Sequence, residues 1–342
     1  MTKENVNFPL AYGVRTKNKD ILLSSSSGGI FSEIANYAFE KGIIVYGCIL
    51  TDDMKVKHCR AETKEDIVKM RTSKYVQSDL TGIIKKIKKD IKEDKKVLFT
   101  SAPCYVNTIM SLLSPEEKEK VITMDFICHG MPKKKVFEDH IQHIEQIYKS
   151  KVIHYSFRNK RFGWTHDEFA ILEKGKKKVS SIKEIHRYKR LFHLNYSLNY
   201  GCFFCKYTTK YRKTDFTIGD FWGVEETLGI LDNKGMSALL VNTPRALKLF
   251  ENIENIQSYP VKVEDFQHGP LRSPAKKPED YLKFWEDYSK YGYEYASNHY
   301  APVNFKVYFS TYRRRIIHLL KLDYFLFWLK YKFKEKKKNG KK

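Results

Sequence analysis

The sequence predicts an α/β protein with mixed, partly parallel sheets and flanking helices, plus a basic amphipathic helix at its C-terminal end. Three observations predict it. "IIVYGCIL" (43–50), "KVLFT" (96–100) and "VITMDFI" (121–127) are short apolar runs of strand length. Segments with helical spacing lie before or between them, which is the βαβ pattern of a parallel sheet. The last thirty or so residues join apolar and aromatic side chains to a lysine-rich end.

Taken in order, "ILL" (21–23) reads as a strand, "SSSSGG" as a loop, and "IFSEIANYAFEK" as a helix stopped by Gly42 and followed by the strand "IIVYGCIL". In "GIIKKIKKDIKEDKKV" (82–97), Ile83, Ile84, Ile87 and Ile91 recur at helical spacing, so one buried stripe lies beneath a solvated lysine face. "KVLFT", the helix "YVNTIMSLL" (105–113) and "VITMDFI" make a second βαβ block. Residues 151–225 are basic, aromatic-rich and of mixed strand and loop character. "GMSALLVNT" then returns to strand and "PRALKLFENI" to helix, with Pro244 suited to the first helical position. We divide the chain into an N-terminal α/β region (1–94), a catalytic region (95–275) and a helical basic tail (276–342).

The chain has 342 residues, enough to bury a sizeable core, and 42% of them are hydrophobic, as in ordinary globular proteins. "MTKENVNFPLAYGV" lacks the apolar segment of a signal peptide, so a reducing, cytoplasmic setting is expected. There, six cysteines point to metal or redox chemistry before disulfides. The net charge of +23 comes from 50 lysines against 13 arginines, alongside abundant Ile, Tyr and Asn. That is the bias of an AT-rich coding sequence, and solvated helix faces account for it without a nucleic acid partner.

"NYGCFFCKY" (199–207) holds Cys202 and Cys205 as a Cys-x-x-Cys behind a glycine. Cys104 follows the strand "VLFT" and Cys128 follows "VITMDFI". A right-handed crossover between those strands brings both to the carboxyl edge of the sheet, with strands about 5 Å apart. Four such thiolates suit a [4Fe-4S] cluster or a four-cysteine zinc site. Two other readings stay open: Cys104 and Cys128 as buried core thiols, or Cys104 as a nucleophile beside His129. Cys48, in a strand, and Cys59, in a charged segment, read as non-ligands.

Several motifs in order, "SSGGIF", "RTSKYVQS", "VLFTSAPCY", "DFICHG", "RNKRFGW", "YSLNYGCFFCKY" and "TDFTIGDFWG", make the chain resemble the coenzyme F420 hydrogenase/dehydrogenase beta-subunit family over roughly residues 10–250. Members are iron–sulfur flavoproteins that pass electrons between a cluster, FAD and an organic substrate. The resemblance implies cluster ligands at Cys104, Cys128, Cys202 and Cys205. Many relatives begin with a ferredoxin-like Cys-x-x-Cys-x-x-Cys segment, and this chain has no cysteine before Cys48. One cluster is therefore expected, supplied by a separate redox donor such as ferredoxin or a partner subunit. The family's "PCQ" is "PCY" here, and Tyr105 puts a polar contact near the cluster in question.

For the FAD that the family implies, the helix start at Ser26, Ser27, Gly28 and Gly29 offers free backbone N–H groups to a diphosphate, although a serine-capped helix needs no ligand. Lys74, Arg158, Lys160 and Arg161 can add countercharge, and Tyr75 or Trp164 can stack on a ring. His129 can tune the cluster or donate a proton, and Asp220 can take part or merely cap a turn. The expected function is an iron–sulfur flavoprotein oxidoreductase. The alternatives are a non-enzymatic zinc protein with a four-cysteine site or a flavin-free assembly subunit docking on an acidic partner. Residues 312–342 are broken by Lys321, Asp323 and Lys330 and so are unsuited to crossing a membrane. They suit the anionic inner face of a membrane, or packing on the protein's own domain or a partner.

Overall fold

The computed structural model describes residues 7–165 and 167–339. Its eleven named strands are β1 (Leu10–Thr16), β2 (Ile44–Leu50), β3 (Val56–Arg60), β4 (Val97–Ser101), β5 (Val121–Phe126), β6 (Val152–Asn159), β7 (Asp167–Leu172), β8 (Lys178–Val179), β9 (Phe216–Asp220), β10 (Ser237–Val241) and β11 (Ile256–Val261). Eight of them form one sheet in the order β11-β1-β10-β9-β5-β4-β2-β3, and β6-β7-β8 form a second. The centre, β2-β4-β5-β9, is parallel. Both margins are antiparallel, with β9-β10-β1-β11 on one side and β2-β3 on the other. Strands from both sides of residue 94 therefore share this sheet.

The helices are α1 (Lys19–Ser24), α2 (Ile30–Glu40), α3 (Lys64–Met70), α4 (Ile83–Lys92), α5 (Pro103–Ser111), α6 (Pro115–Glu119), α7 (Lys134–Tyr148), α8 (His186–His193), α9 (Val224–Leu228), α10 (Pro244–Phe250), α11 (Tyr281–Tyr300), α12 (Phe305–Leu319) and α13 (Asp323–Asn339). Side chains alternate across a strand, and the parallel strands feed two cores accordingly. Val45, Leu98 and Met124 pack with Ile30, Ile34 and Ile67 of α2 and α3. Tyr46, Phe99 and Val121 pack with Ile83, Ile87 and Val106 of α4 and α5. The expected isoleucine stripe of α4 is thus the buried face. A third core joins the small sheet to α7, α8 and α11 through Phe137, Tyr155, Tyr188 and Phe284.

Two expectations change. "ILL" lies in helix α1, not a strand: Asn18 Oδ1 accepts from the N–H groups of Asp20 and Ile21 and starts a helix there. The strand that precedes the Ser/Gly loop is β1, earlier in the chain. Cys59 lies in strand β3, half-buried opposite Gly47 and packed against the core of α2 and α3. The tail expected over 276–342 is helical, made of α11, α12 and the C-terminal helix α13.

Candidate functional site

Cys104 and Cys128 follow adjacent parallel strands, β4 and β5, with Cys104 in the first turn of α5 after Pro103. Cys202 lies within a short 3-10 turn, Tyr200–Phe204, and Cys205 directly follows it. Backbone bonds clamp that turn to the loop after Cys128. Asn199 N–H donates to Met131 O at 2.9 Å and Lys133 N–H to Ser197 O at 2.9 Å. Met131 N–H donates to Cys202 Sγ at 3.3 Å. Gly130 is needed here because a Cβ would lie 2.6 Å from the Leu198 side chain.

The four sulfurs are electrostatic neighbours. Burial pushes the Cys104 thiol up to about 11, and the charges of Cys205 and Cys202 add to it. Burial raises Cys128 further, reinforced by Cys104, Cys202 and Cys205. Backbone N–H groups work in the opposite direction at Cys104, Cys128 and Cys202, favouring thiolate. Among the described residues, no three His, Cys, Asp or Glu side chains gather as a single metal ion requires. The soft donor set of Cys104, Cys128, Cys202 and Cys205 is of the kind that would hold an iron–sulfur group.

A cavity of about 400 Å³ opens beside these thiols at the carboxyl ends of β4, β5 and β9, the usual place for a ligand in such a sheet. Its wall includes Ser26, Ser27, Gly29, Lys74, Tyr75 and Arg158, together with Cys128 and His129. Gly29, at φ +90°, caps α2 without a side-chain bond. The N–H groups of Ser32 and Glu33 turn back to Gly29 O, and no acceptor faces those of Ile30 and Phe31 among the described residues. Ser25 Oγ is also buried without a partner.

Arg158 is 4% exposed and donates from Nη1 to Asp220 Oδ2 at 2.5 Å, and the Tyr75 hydroxyl also lies against its guanidinium. Burial alone would weaken the guanidinium's hold on its proton, yet the Asp220 charge leaves the pKa raised. The guanidinium also lies over the Trp222 ring, 5.4 Å from its centroid. His129 Nε2 lies 2.7 Å from Asn195 Oδ1. Because Asn195 Nδ2 donates to Lys276 O, that oxygen is the acceptor and Nε2 carries the proton.

Other expected site residues are engaged elsewhere. Gly28 is outside the cavity wall: its N–H donates to Ser237 Oγ at 2.9 Å, and its carbonyl accepts from Thr16 N–H at 2.8 Å. It must be glycine because a Cβ would lie 2.2 Å from Val14 O. Lys160 holds the serine loop from behind, donating to Leu22 O and Ser27 O at 2.6 and 2.5 Å, and burial pulls it down to about 7. Arg161 reaches Asp167 and Ser180. Lys74 lines the cavity but spends its donors on the carbonyls of Lys69, Met70 and Arg71, each at 2.8 Å. Trp164 stacks on Trp222 at 4.6 Å and donates to Ser26 O, leaving Trp222 as the ring at the wall. The Tyr105 hydroxyl accepts from Gln77 and donates to Ser78 O, so the position keeps a polar contact.

Sequence reasoning missed His58, His193, His268 and Asn195. His58 was legible from the alternation Val56, Lys57, His58, which is buried, exposed, buried in β3. Its Nε2 approaches Thr100 O at 3.2 Å, and burial depresses the ring to about 4.

Residues 11–85 match the profile of the coenzyme F420 hydrogenase/dehydrogenase beta-subunit N-terminal region, and residues 94–265 that of its C terminus. An uncharacterized protein of Methanocaldococcus jannaschii is 30% identical over 108 residues, 30% of this chain and 29% of that protein. The alignment thus spans under a third of that relative's length. A chain of the F420-reducing [NiFe] hydrogenase complex from Methanosarcina barkeri, solved after xenon derivatization, superposes with a TM-score of 0.50 at 18% identity, covering 84% of this chain and 90% of that one. At that identity the likeness speaks for the fold. The two profile matches together span most of the sequence and enclose both the thiols and the serine loop, and the chain belongs to the coenzyme F420 hydrogenase/dehydrogenase beta-subunit family, a family of oxidoreductases.

Proposed function

We propose that Cys104, Cys128, Cys202 and Cys205 hold one [4Fe-4S] cluster and that the adjoining cavity binds FAD, making the chain an iron–sulfur flavoprotein oxidoreductase. The observation that carries this is Cys128, which belongs to the thiol group and also lines the cavity. A cluster and a ring system held there share a wall.

FAD exchanges a hydride with an organic substrate and single electrons with iron–sulfur, which is the chemistry it would supply here. The chain's own groups divide the binding. The open amides at the start of α2, with Ser25 and Ser26 beside them, suit the diphosphate. Arg158 offers fixed positive charge, and Trp222 and Tyr75 offer aromatic faces. His129, held by Asn195, keeps a proton on Nε2 next to Cys128. The four cysteines are only half-buried, and the exposed Phe204 lies between Cys202 and Cys205, near the cationic Lys206. An acidic electron donor fits that side, and Lys206→Glu is expected to slow reduction most at low salt.

The deciding experiment is an anaerobic visible spectrum with iron, sulfide and flavin analysis. We expect about four irons and four sulfides per chain, together with one FAD. Serine at any of the four cysteines should remove most of the iron, whereas Cys48→Ser and Cys59→Ser should keep it. Stoichiometric zinc without sulfide would establish the zinc-protein alternative. A cluster with no flavin binding on addition of FAD would establish the assembly-subunit alternative.

A further inference from the structure

We infer that the outward face of α12 and the start of α13 lies on an anionic lipid surface. Along α12, Phe305, Phe309, Tyr312, Ile316 and Leu319, with Leu320 at the C-cap, recur at the spacing of a single helical face. They are 81%, 58%, 51%, 53%, 68% and 62% exposed, so the face that would ordinarily seek a core is turned to solvent. Tyr324, Phe325 and Trp328 of α13 are also exposed, at 61%, 53% and 40%.

The helix is fixed in that orientation by its other side. Thr311 is buried, and one turn on Arg315 Nη2 donates to Asp167 Oδ1 at 3.0 Å and to Ser180 O at 3.2 Å. The Arg315 guanidinium lies over Phe162. The turn into α13 is tied by His318 to Asp323 at 2.6 Å and by Asn233 to Asp323 at 3.1 Å. Rolling α12 to bury its apolar stripe would break the Arg315 contacts. Exposed apolar side chains gathered on one face, rimmed by polar groups, mark an interaction surface.

Charge selects the partner. Residues 305–342 contain thirteen Lys and Arg but two acidic residues, Asp323 and Glu335, and the whole chain carries +23. Pairing with a second copy would bring two strongly positive surfaces together. An aromatic and aliphatic stripe flanked by Lys306 and Arg313 instead has the composition of a helix lying in the headgroup region. Among the described residues no helix is long and apolar enough to cross a membrane, so the helix would lie in the plane of the surface.

The test is co-sedimentation of the full chain with vesicles of phosphatidylcholine alone or mixed with phosphatidylglycerol. We expect binding only to the mixed vesicles and its loss near 0.5 M salt, roughly where screening shortens to a few ångströms. The triple variant Phe309→Ser/Ile316→Ser/Leu319→Ser changes exposed side chains and should abolish binding with unchanged circular dichroism. Lys306→Glu with Arg313→Glu should lower the partition coefficient at least about fivefold for each charge. Equal binding to both vesicle types, or unimpaired binding by the triple variant, would overturn the proposal. So would an absence of binding: a wild-type dimer dissociated by the triple variant would then assign the face to a second copy, and a monomer would assign it to another protein. None of these readouts depends on cluster or flavin.

Discussion

At the scale of single residues, the cationic group Arg158, Lys160 and Arg161 shows how three neighbours take three tasks. Arg158 is near the end of β6 and faces Asp220 in the cavity, while the two that follow β6 turn to the serine loop and to Asp167. Arg158→Gln should therefore weaken FAD binding, measured by fluorescence titration, whereas Arg161→Gln should leave it unchanged. The same Arg158 change leaves a largely buried Asp220 carboxylate without its cation, and loss of one partner from such a pair costs about 3–5 kcal/mol. Its measured stability must accordingly be compared with that of Arg158→Gln/Asp220→Asn, which removes both charges and should recover part of the loss. If the double variant regains stability but not flavin, Arg158 serves the ligand as well as the fold.

At the scale of elements, the Ser/Gly loop separates what sequence pattern reveals from what it conceals. The helix α2 and the parallel pair β4–β5 were legible because their apolar spacing is long and regular. The thiols at the sheet edge were legible because a βαβ unit sends successive strands the same way. The task of Gly28 was not legible, since it depends on β10 passing within contact of a loop more than two hundred residues earlier. Asn195 and His268 escaped notice for the same reason: Asn195 meets the cavity only through His129, and His268 is held by Asp220 O, long-range pairings that leave no local period. Gly28→Ala tests the assignment. Its Cβ would meet Val14 O at 2.2 Å, so β1 and β10 must separate, with an expected loss of about 3 kcal/mol or more. Thermal unfolding should show that loss in protein without flavin. A loss confined to flavin affinity would return Gly28 to the phosphate site.

At the scale of the whole molecule, buried ionisable groups in separate cores make stability depend on pH from both sides. His140 is fully buried between the hydroxyls of Tyr293 and Tyr155, and burial drives it well below the usual histidine range. Burial also depresses His58 and His186 to about 4. As pH falls below about 6.5 the unfolded chain takes up protons that these folded rings refuse, so stability is lost between about pH 6.5 and 4. Glu168 has the opposite sign. Burial raises its carboxyl well above the usual range although Lys189 pulls the other way, so the folded state keeps a proton that the unfolded state has released, and stability falls as pH rises above the ordinary glutamate range. The histidines therefore set an acid limb and Glu168 an opposing one, both read as urea midpoints at constant ionic strength. His186→Gln should flatten the acid limb by on the order of 3 kcal/mol, the free energy of a shift of about two and a half pKa units. Glu168→Gln should flatten the alkaline limb and leave the acid one standing. Identical profiles for wild type and both variants would mean that neither group changes its proton affinity on folding.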